Sequence, residues 1–589
     1  MSSVTAPDQH APVRDEPRRR RPQLSRWQTV VLGVLLAAVV IGVVVRPILS
    51  RDTEFVGFDW YQHVWYLWHM EGSMSATGLP SLYSHNTSGV FDPHFAFYGG
   101  TLYTIAGALT LLVGSHVAAY AISWILAAAL IYGSWFWLAR QAGLGPWASH
   151  APGILLVTSG WYVSLIYTWG SWAQTVCFGA LALLIAGGVA MLRADRLRFG
   201  SAVGFSAGLI LYTGSHNLTL AWGTTVVAIA IVALLVVVPG ARALITKPGL
   251  QRLALVAVPS LMVNGWFLLP ALVYQSHTAI ATNIDTAHGL LTTSMNLVNH
   301  QYTLTLGRSH DVVWTHLSTQ LPLLAAVWVI AGLAIFRPRW RSPWVWTIFV
   351  LTVAGVATAV LMTQLNWILH LPHPLDMVQG PYRIEAYPMM AAAAAVIAGL
   401  VLAARSTRFR RRWAWLLVPV LALSVIQANS QANEPLKDGT ARPPWSGTEP
   451  RMTNGSPLGA ADYIDGDLPQ IINGTTALVT FSPTVAEKTS RGEVVAKARP
   501  GDWITTNLKA APAFVKVDGA TIVGRDQLGN AVLQLNDDAK PGAARIVVTT
   551  RHPWPVVLGR DLTFLGLAGL LAIGIALLRR RLLTGRLAV

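Results

Sequence analysis

Phe58-Asp59-Trp60-Tyr61-Gln62-His63-Val64-Trp65-Tyr66-Leu67-Trp68-His69 lies just beyond the first long apolar run of the chain. Its rings suit the edge of a bilayer, where Trp and Tyr gather with an apolar body and a polar tip. At helical pitch Asp59 and His63 share one face. An interfacial anchor accounts for the tryptophans, but not for an acid and a histidine. An ionisable group costs about 2.5–3.5 kcal/mol at the middle of a membrane helix and less at its edge. Asp59 and His63 are therefore candidates for chemistry at a membrane mouth, with Trp60 beside them.

Outward from this stretch the chain is a series of apolar blocks. Only 12% of its 589 residues are Asp, Glu, Lys or Arg, against about 25% in ordinary soluble domains. A bilayer core takes roughly 20 apolar residues per helix, which gives about twelve spans. They fall near 27–49, 117–139, 147–166, 172–192, 199–213, 217–238, 253–274, 318–336, 343–363, 387–404, 413–428 and 555–578. The fold expected is a polytopic α-helical membrane protein. Arg18, Arg19, Arg20 and Arg21 close a polar tail of residues 1–26. The run that follows lacks a small-residue cleavage site and reads as an uncleaved anchor.

The net charge of +16 is distributed as a topology signal rather than as a nucleic-acid surface, and no nucleic-acid recognition pattern is present. Alternate connections hold Arg140; Arg193, Arg196 and Arg198; Arg242, Lys247 and Arg252; Arg337, Arg339 and Arg341; and Arg405 to Arg412, with Arg579 to Arg581 in the tail. The opposite connections hold Asp59, Asp92, Asp285, Asp311, Asp376 and Glu385. The positive-inside rule puts both termini in the cytoplasm of a plasma membrane and the acidic connections outside. The apolar stretch 97–113 would break this alternation as a span. It is expected to lie at the outer interface, within a long first outer loop of residues 51–116.

Residues 429–554 change character. Ala513-Phe514-Val515-Lys516-Val517, Ala531-Val532-Leu533-Gln534-Leu535 and the run from Ala544 to Thr550 alternate as strands do, with turns at Asp518-Gly519 and Pro541-Gly542. A small extracytoplasmic β-rich domain is expected, tethered by the spans on either side, with residues 555–589 forming the last span and a basic tail. Cys177 is the only cysteine, in an apolar setting that suits packing, and it permits no internal disulfide. The chain has no phosphate-cradling loop, no dinucleotide fingerprint, no CxxC pair and no His-Glu-x-x-His, so ATP-driven transport and zinc proteolysis have no support.

Three landmarks carry a family resemblance. The first is Asp59 to His63, followed by Gly78-Leu79-Pro80 and Phe97-Tyr98-Gly99-Gly100. The second is Ser215-His216 at an outer helix end, and the third is Val378-Gln379-Gly380-Pro381-Tyr382-Arg383 before the tenth span. With these, the chain resembles the GT-C superfamily of integral membrane glycosyltransferases. More closely it resembles the bacterial membrane proteins described as 6-pyruvoyl-tetrahydropterin synthase-related or YfhO-like. The resemblance implies a GT-C-like domain over 27–428, a polyprenyl-phosphate sugar donor, and Asp59 as catalytic base. The sequence departs from the pattern at Trp169-Gly170-Ser171-Trp172-Ala173-Gln174. Where an acid is expected it has Gln174, which can contact a sugar but cannot act as an acid.

Such chemistry needs a carboxylate to accept the proton of an attacking hydroxyl and a cation to hold the departing phosphate. Arg383 and Arg308 are the candidates for the phosphate, their alternatives being a salt bridge to Glu385 or Asp376 and a solvated loop charge. His63, Gln174, His216 and Trp60 are candidate substrate contacts, although His216 also suits a helix cap. Asp92 and His94 could serve a divalent metal together with His63 or Asp59, or Asp92-Pro93 could simply turn the chain. His150 falls at the cytoplasmic end of its span and is excluded.

The function expected is transfer of sugar from a polyprenyl-phosphate donor to an extracytoplasmic cell-envelope glycan or glycolipid. The composition resembles that of high-GC actinobacterial proteins, so mannose or arabinofuranose is the donor sugar by analogy. A transporter or flippase would place ionisable groups mid-span. A non-catalytic envelope scaffold would share the departure at Gln174.

Overall fold

The computed structural model describes residues 25–49, 60–86, 89–279, 300–302, 312–314, 321–336, 342–362, 365–378, 381–405, 413–437, 464–472, 474–475, 477–481 and 491–586. Asp59 and Arg308 lie outside the described residues.

The chain opens with α1 (Arg26–Val45), whose Ser25 and Gln28 form a reciprocal capping box. The first loop contains α2 (Trp60–Thr77), the hairpin β1 (Ser84–Asn86) and β2 (Gly89–Asp92), and α3 (Gly100–Val113). Then come α4 (His116–Gln141), α5 (His150–Val157), α6 (Gly160–Ser164), a π turn at Leu165–Trp169, α7 (Trp172–Arg193), α8 (Phe199–Thr213), α9 (Asn217–Val237), α10 (Lys247–Val263) and α11 (Gly265–Tyr274). A short pair, β3 (His300–Tyr302) and β4 (Val312–Trp314), precedes α12 (Leu321–Phe336), α13 (Pro343–Met362), α14 (Leu365–Leu369), α15 (Ala386–Ala404) and α16 (Leu417–Lys437). Seven strands follow: β5 (Ala477–Val479), β6 (Arg491–Ala496), β7 (Trp503–Lys509), β8 (Val515–Asp518), β9 (Ala520–Arg525), β10 (Asn530–Leu535) and β11 (Ala544–Thr550). The last helix is α17 (Trp554–Arg586).

This is a membrane protein. Among the described residues eight helices are long and apolar enough to cross a bilayer, and the pair α10–α11, bent by 76°, makes a ninth if counted as one span. Each of the twelve expected segments meets a helix, but four are irregular. Segment 253–274 is the bent pair, 199–213 and 318–336 are short, and 147–166 is broken into α5, α6 and the π turn. The bend has a local cause. Pro259 and Pro270 remove backbone donors on either side, and Asn264 at the break donates to the Ile210 carbonyl (2.8 Å) while accepting from Thr101 (2.6 Å). Apolar side chains such as Leu272, Phe564 and Leu571 point outward, as hydrocarbon permits and water does not.

Glycines let α17 lie close against the bend. A Cβ at Gly265 would sit 2.8 Å from the Gly559 carbonyl oxygen, and one at Gly566 would sit 2.6 Å from that of Pro259. Such small-residue contacts let membrane helices approach backbone to backbone.

The expected β-rich domain is present, with strands where the alternation placed them. In β11 the run Ala544, Ile546, Val548 is buried and Arg545 is exposed. Gly519 turns the chain at φ 90°, where a Cβ would strike the Arg545 carbonyl. One sheet runs β6-β11-β8. The other runs β1-β2-β7-β10-β9, with β5 also on β7, so the first loop supplies two of its strands. Val90 pairs in parallel with Leu508, and the Tyr83 hydroxyl reaches the carbonyls of Phe514 (3.0 Å) and Arg551 (2.9 Å). Phe91 and Phe97 join the domain's core with Phe514 and Ile546.

Candidate active site

Most of the described rings of the aromatic stretch are buried in the protein. In α2, Trp60, Val64, Trp65, Tyr66, Leu67 and Met70 are all buried against the protein, so the interfacial anchor expected of these rings is replaced by a packed helix. Its neighbour is α3, where Gly107 leaves room for the Met70 side chain.

His63 sits at the centre. Its Nδ1 is 2.5 Å from the Tyr103 hydroxyl, and its ring lies 6.0 Å from that of Trp172 and 6.1 Å from that of Tyr120. Trp60 meets the same Tyr120 edge-on at 4.5 Å. One turn along α2, Gln62 donates to the Tyr66 hydroxyl (2.8 Å), which lies 3.2 Å from His94 Nδ1. Tyr66 and His94 stack at 4.0 Å.

The next two connections add polar groups. Gly170 adopts φ 66° and turns the chain out of the π turn into α7, with the Tyr120 hydroxyl on its carbonyl (3.3 Å). That turn delivers Trp172 and Gln174. Gln174 Nε2 donates to the Arg383 carbonyl (3.0 Å), and Arg383 donates back to Gln174 Oε1 (3.5 Å). His216 caps α9, its Nδ1 accepting from the Thr219 N–H at 3.1 Å, and its ring meets Tyr98 at 5.6 Å. The cap expected as its alternative role is formed.

Electrostatics tie these groups together. Burial, then the Arg383 charge, lowers the His63 pKa to about 3. Burial, then His63, lowers that of His94 to about 3. His216 lies well below the ordinary range, through burial, Arg383 and His63 in that order. All three are neutral imidazoles near neutral pH, and His63 and His216 offer hydrogen bonds around Arg383 rather than further positive charge.

The sequence candidates thus divide. His63, Trp60, Gln174, His216 and Arg383 gather at one end of the bundle, and His94 borders them. Asp92, at the end of β2, is buried and acts on Lys509 of the β domain, whose ammonium donates to the Leu528 carbonyl (2.8 Å). Among the described residues no three His, Cys, Asp or Glu side chains group to hold a metal. Asp376 lies 3.3 Å from His373. His150 is elsewhere, 2.9 Å from the Tyr132 hydroxyl, and Cys177 packs under the site with Sγ on the Tyr212 carbonyl (3.4 Å). Tyr103 and Tyr120 escaped the sequence reading, and Tyr66 and Trp172 stood in its quoted stretches without a role. An aromatic ring in an apolar segment looks like packing; Tyr103, Tyr120 and Trp172 are marked by His63, and Tyr66 by His94.

The arginine-bearing connections meet at other contacts. Arg193 donates to the Gln141 carbonyl, Arg252 Nε to that of Met191 (3.1 Å), and the Arg405 guanidinium lies 5.8 Å from the Trp344 ring centre.

No protein-family profile matches the chain, and no curated protein matches it. Solved structures similar to it include an archaeal oligosaccharyltransferase and a bacterial ArnT. One is the Archaeoglobus fulgidus oligosaccharyltransferase tethered with an acceptor peptide, at 13% identity and TM-score 0.38, covering 69% of this chain and 55% of that one. A second is archaeal AglB from Archaeoglobus fulgidus in complex with an inhibitory peptide and a dolichol-phosphate, at 14% and 0.39, covering 69% and 56%. A third is ArnT from Cupriavidus metallidurans bound to undecaprenyl phosphate, at 16% and 0.38, covering 70% and 66%. The chain spans between 55% and 66% of the length of these three solved chains.

Proposed function

We propose that the chain transfers a sugar from a polyprenyl-phosphate donor to a hydroxyl of an extracytoplasmic glycan or glycolipid. The observation that supports this is Arg383, bonded both ways to Gln174 and bordered by the neutral imidazoles of His63 and His216. A guanidinium held in this way suits the two-pronged binding of a phosphate. The imidazoles, Gln174 and the rings of Trp60 and Trp172 suit a sugar. The donor class comes from the family resemblance, and mannose or arabinofuranose on a decaprenyl carrier stays the analogy drawn from composition.

In the reaction the acceptor oxygen attacks the anomeric carbon and the carbon–oxygen bond to phosphate breaks. The phosphate leaves with the electron pair and is held by Arg383, with inversion at carbon. The acceptor proton passes to the Asp59 carboxylate, one residue before Trp60. A second phosphate contact is assigned to Arg308, and the mouth opens to the outer face of the plasma membrane.

Transfer of labelled sugar by the purified protein in lipid tests this. General base catalysis is worth about 10²–10⁴ in rate, so Asp59→Asn should fold and bind donor while losing most transfer, and His63→Ala should lose less. A well-folded Asp59→Asn protein with full activity would remove Asp59 as base.

A further inference from the structure

At the arginine-bearing end, α4, α7 and α8 enclose an open groove of about 600 Å³. Trp137, Leu183, Phe199 and Val203 give it an apolar wall, and Gln141 and Arg198 stand at its polar positions. At this end the start of α8 lies against the last turns of α7 and α4, with Gly187 of α7 against Phe205. Gly204 lets Trp137 close one side, because a Cβ there would lie 2.5 Å from the indole edge.

The charges beside it are unequal. Arg140, Arg193 and Arg252 donate to the carbonyls of Leu144, Gln141 and Met191. Among the described residues the Arg198 guanidinium has no hydrogen-bond or ion-pair partner, and it lines the groove.

We propose that this groove holds one anionic phospholipid of the adjoining leaflet. Its acyl chain lies against Trp137, Leu183 and Val203, and its phosphate faces Arg198. The apolar wall suits hydrocarbon, and a cation at its polar end selects an anionic head group over a zwitterionic one, which brings its own positive charge. This site is distinct from the donor site, so its failure would leave that proposal untouched.

The test uses the full chain in detergent, with binding read by native mass spectrometry as phosphatidylglycerol or phosphatidylcholine is added. Phosphatidylglycerol should bind about fivefold more tightly, from one basic group at a membrane surface. Arg198→Gln should abolish that preference and Arg198→Lys should keep it. Val203→Trp, which fills the groove, should weaken both lipids, and inorganic phosphate alone should not compete. An undiminished preference in Arg198→Gln, unchanged lipid binding in Val203→Trp, or displacement of lipid by phosphate would overturn the proposal.

Discussion

Arg383 and His63 show how the candidate site divides its labour. The arginine is half-buried and hydrogen-bonded through both its carbonyl and its guanidinium to Gln174. Lysine keeps the charge but loses the fork, so Arg383→Lys should lower transfer and Arg383→Ala should lower it further, by enzyme assay in lipid. Wild-type turnover in both would move the phosphate elsewhere, with Arg308 next to test. His63 carries a pH signature. Its folded pKa is about 3, whereas a free imidazole titrates near about 6.5. Between those values the unfolded chain holds more protons, so stability falls as pH drops from 6.5 and is flat above it. The slope for one such group reaches ~1.4 kcal/mol per pH unit. Thermal melting from pH 7 to 4.5 should therefore be less acid-sensitive in His63→Gln than in wild type, and parallel curves would contradict the buried neutral state. His63 was legible from its place behind the first span, as was Arg383 from its motif. Tyr103 and Tyr120 were not, because a hydroxyl that reaches across to another helix leaves no mark on its own segment.

At the scale of elements, the hairpin β1–β2 joins the first loop to a domain that begins almost 400 residues later. The Tyr83 hydroxyl, reaching the carbonyls of Phe514 and Arg551, pins that joint. Tyr83→Phe removes that hydroxyl while the Phe514 carbonyl still accepts from the Arg551 N–H (2.6 Å), at a cost of about 0.5–1.5 kcal/mol. Hydrogen exchange should quicken at Phe514, Val515 and the hairpin while β10 stays protected; unchanged exchange would show that the apolar contacts of Phe91 and Phe97 suffice. Strands β8, β10 and β11 could be read locally, since their alternation matches one buried face. The hairpin could not, for its burial comes from β7 and not from any period of its own. In span 147–166 the only local mark of the break before α6 was Thr158-Ser159-Gly160, a turn-prone triplet with the Ser159 cap inside an otherwise apolar run.

Across the whole molecule the alternation of arginine and acid has a physical counterpart. The connections holding His63, Gln174, His216 and Arg383 bond to or lie against one another, and those holding Arg193 and Arg252 bond to the ends of neighbouring helices. If the positive-inside rule orients this arrangement, Lys247 faces the cytoplasm and the β domain faces out. Cys177 is fully buried, so the native thiol gives little background to a membrane-impermeant reagent. Lys247→Cys and Lys516→Cys both sit at exposed positions and test the orientation directly. In intact cells the reagent should label Lys516→Cys alone, and Lys247→Cys should react only after the membrane is opened. Labelling of both in intact cells would place the two ends on one side and break the twelve-span alternation. Labelling of Lys247→Cys alone would keep the alternation but invert it, turning the Arg383 mouth toward the cytoplasm and away from any envelope acceptor.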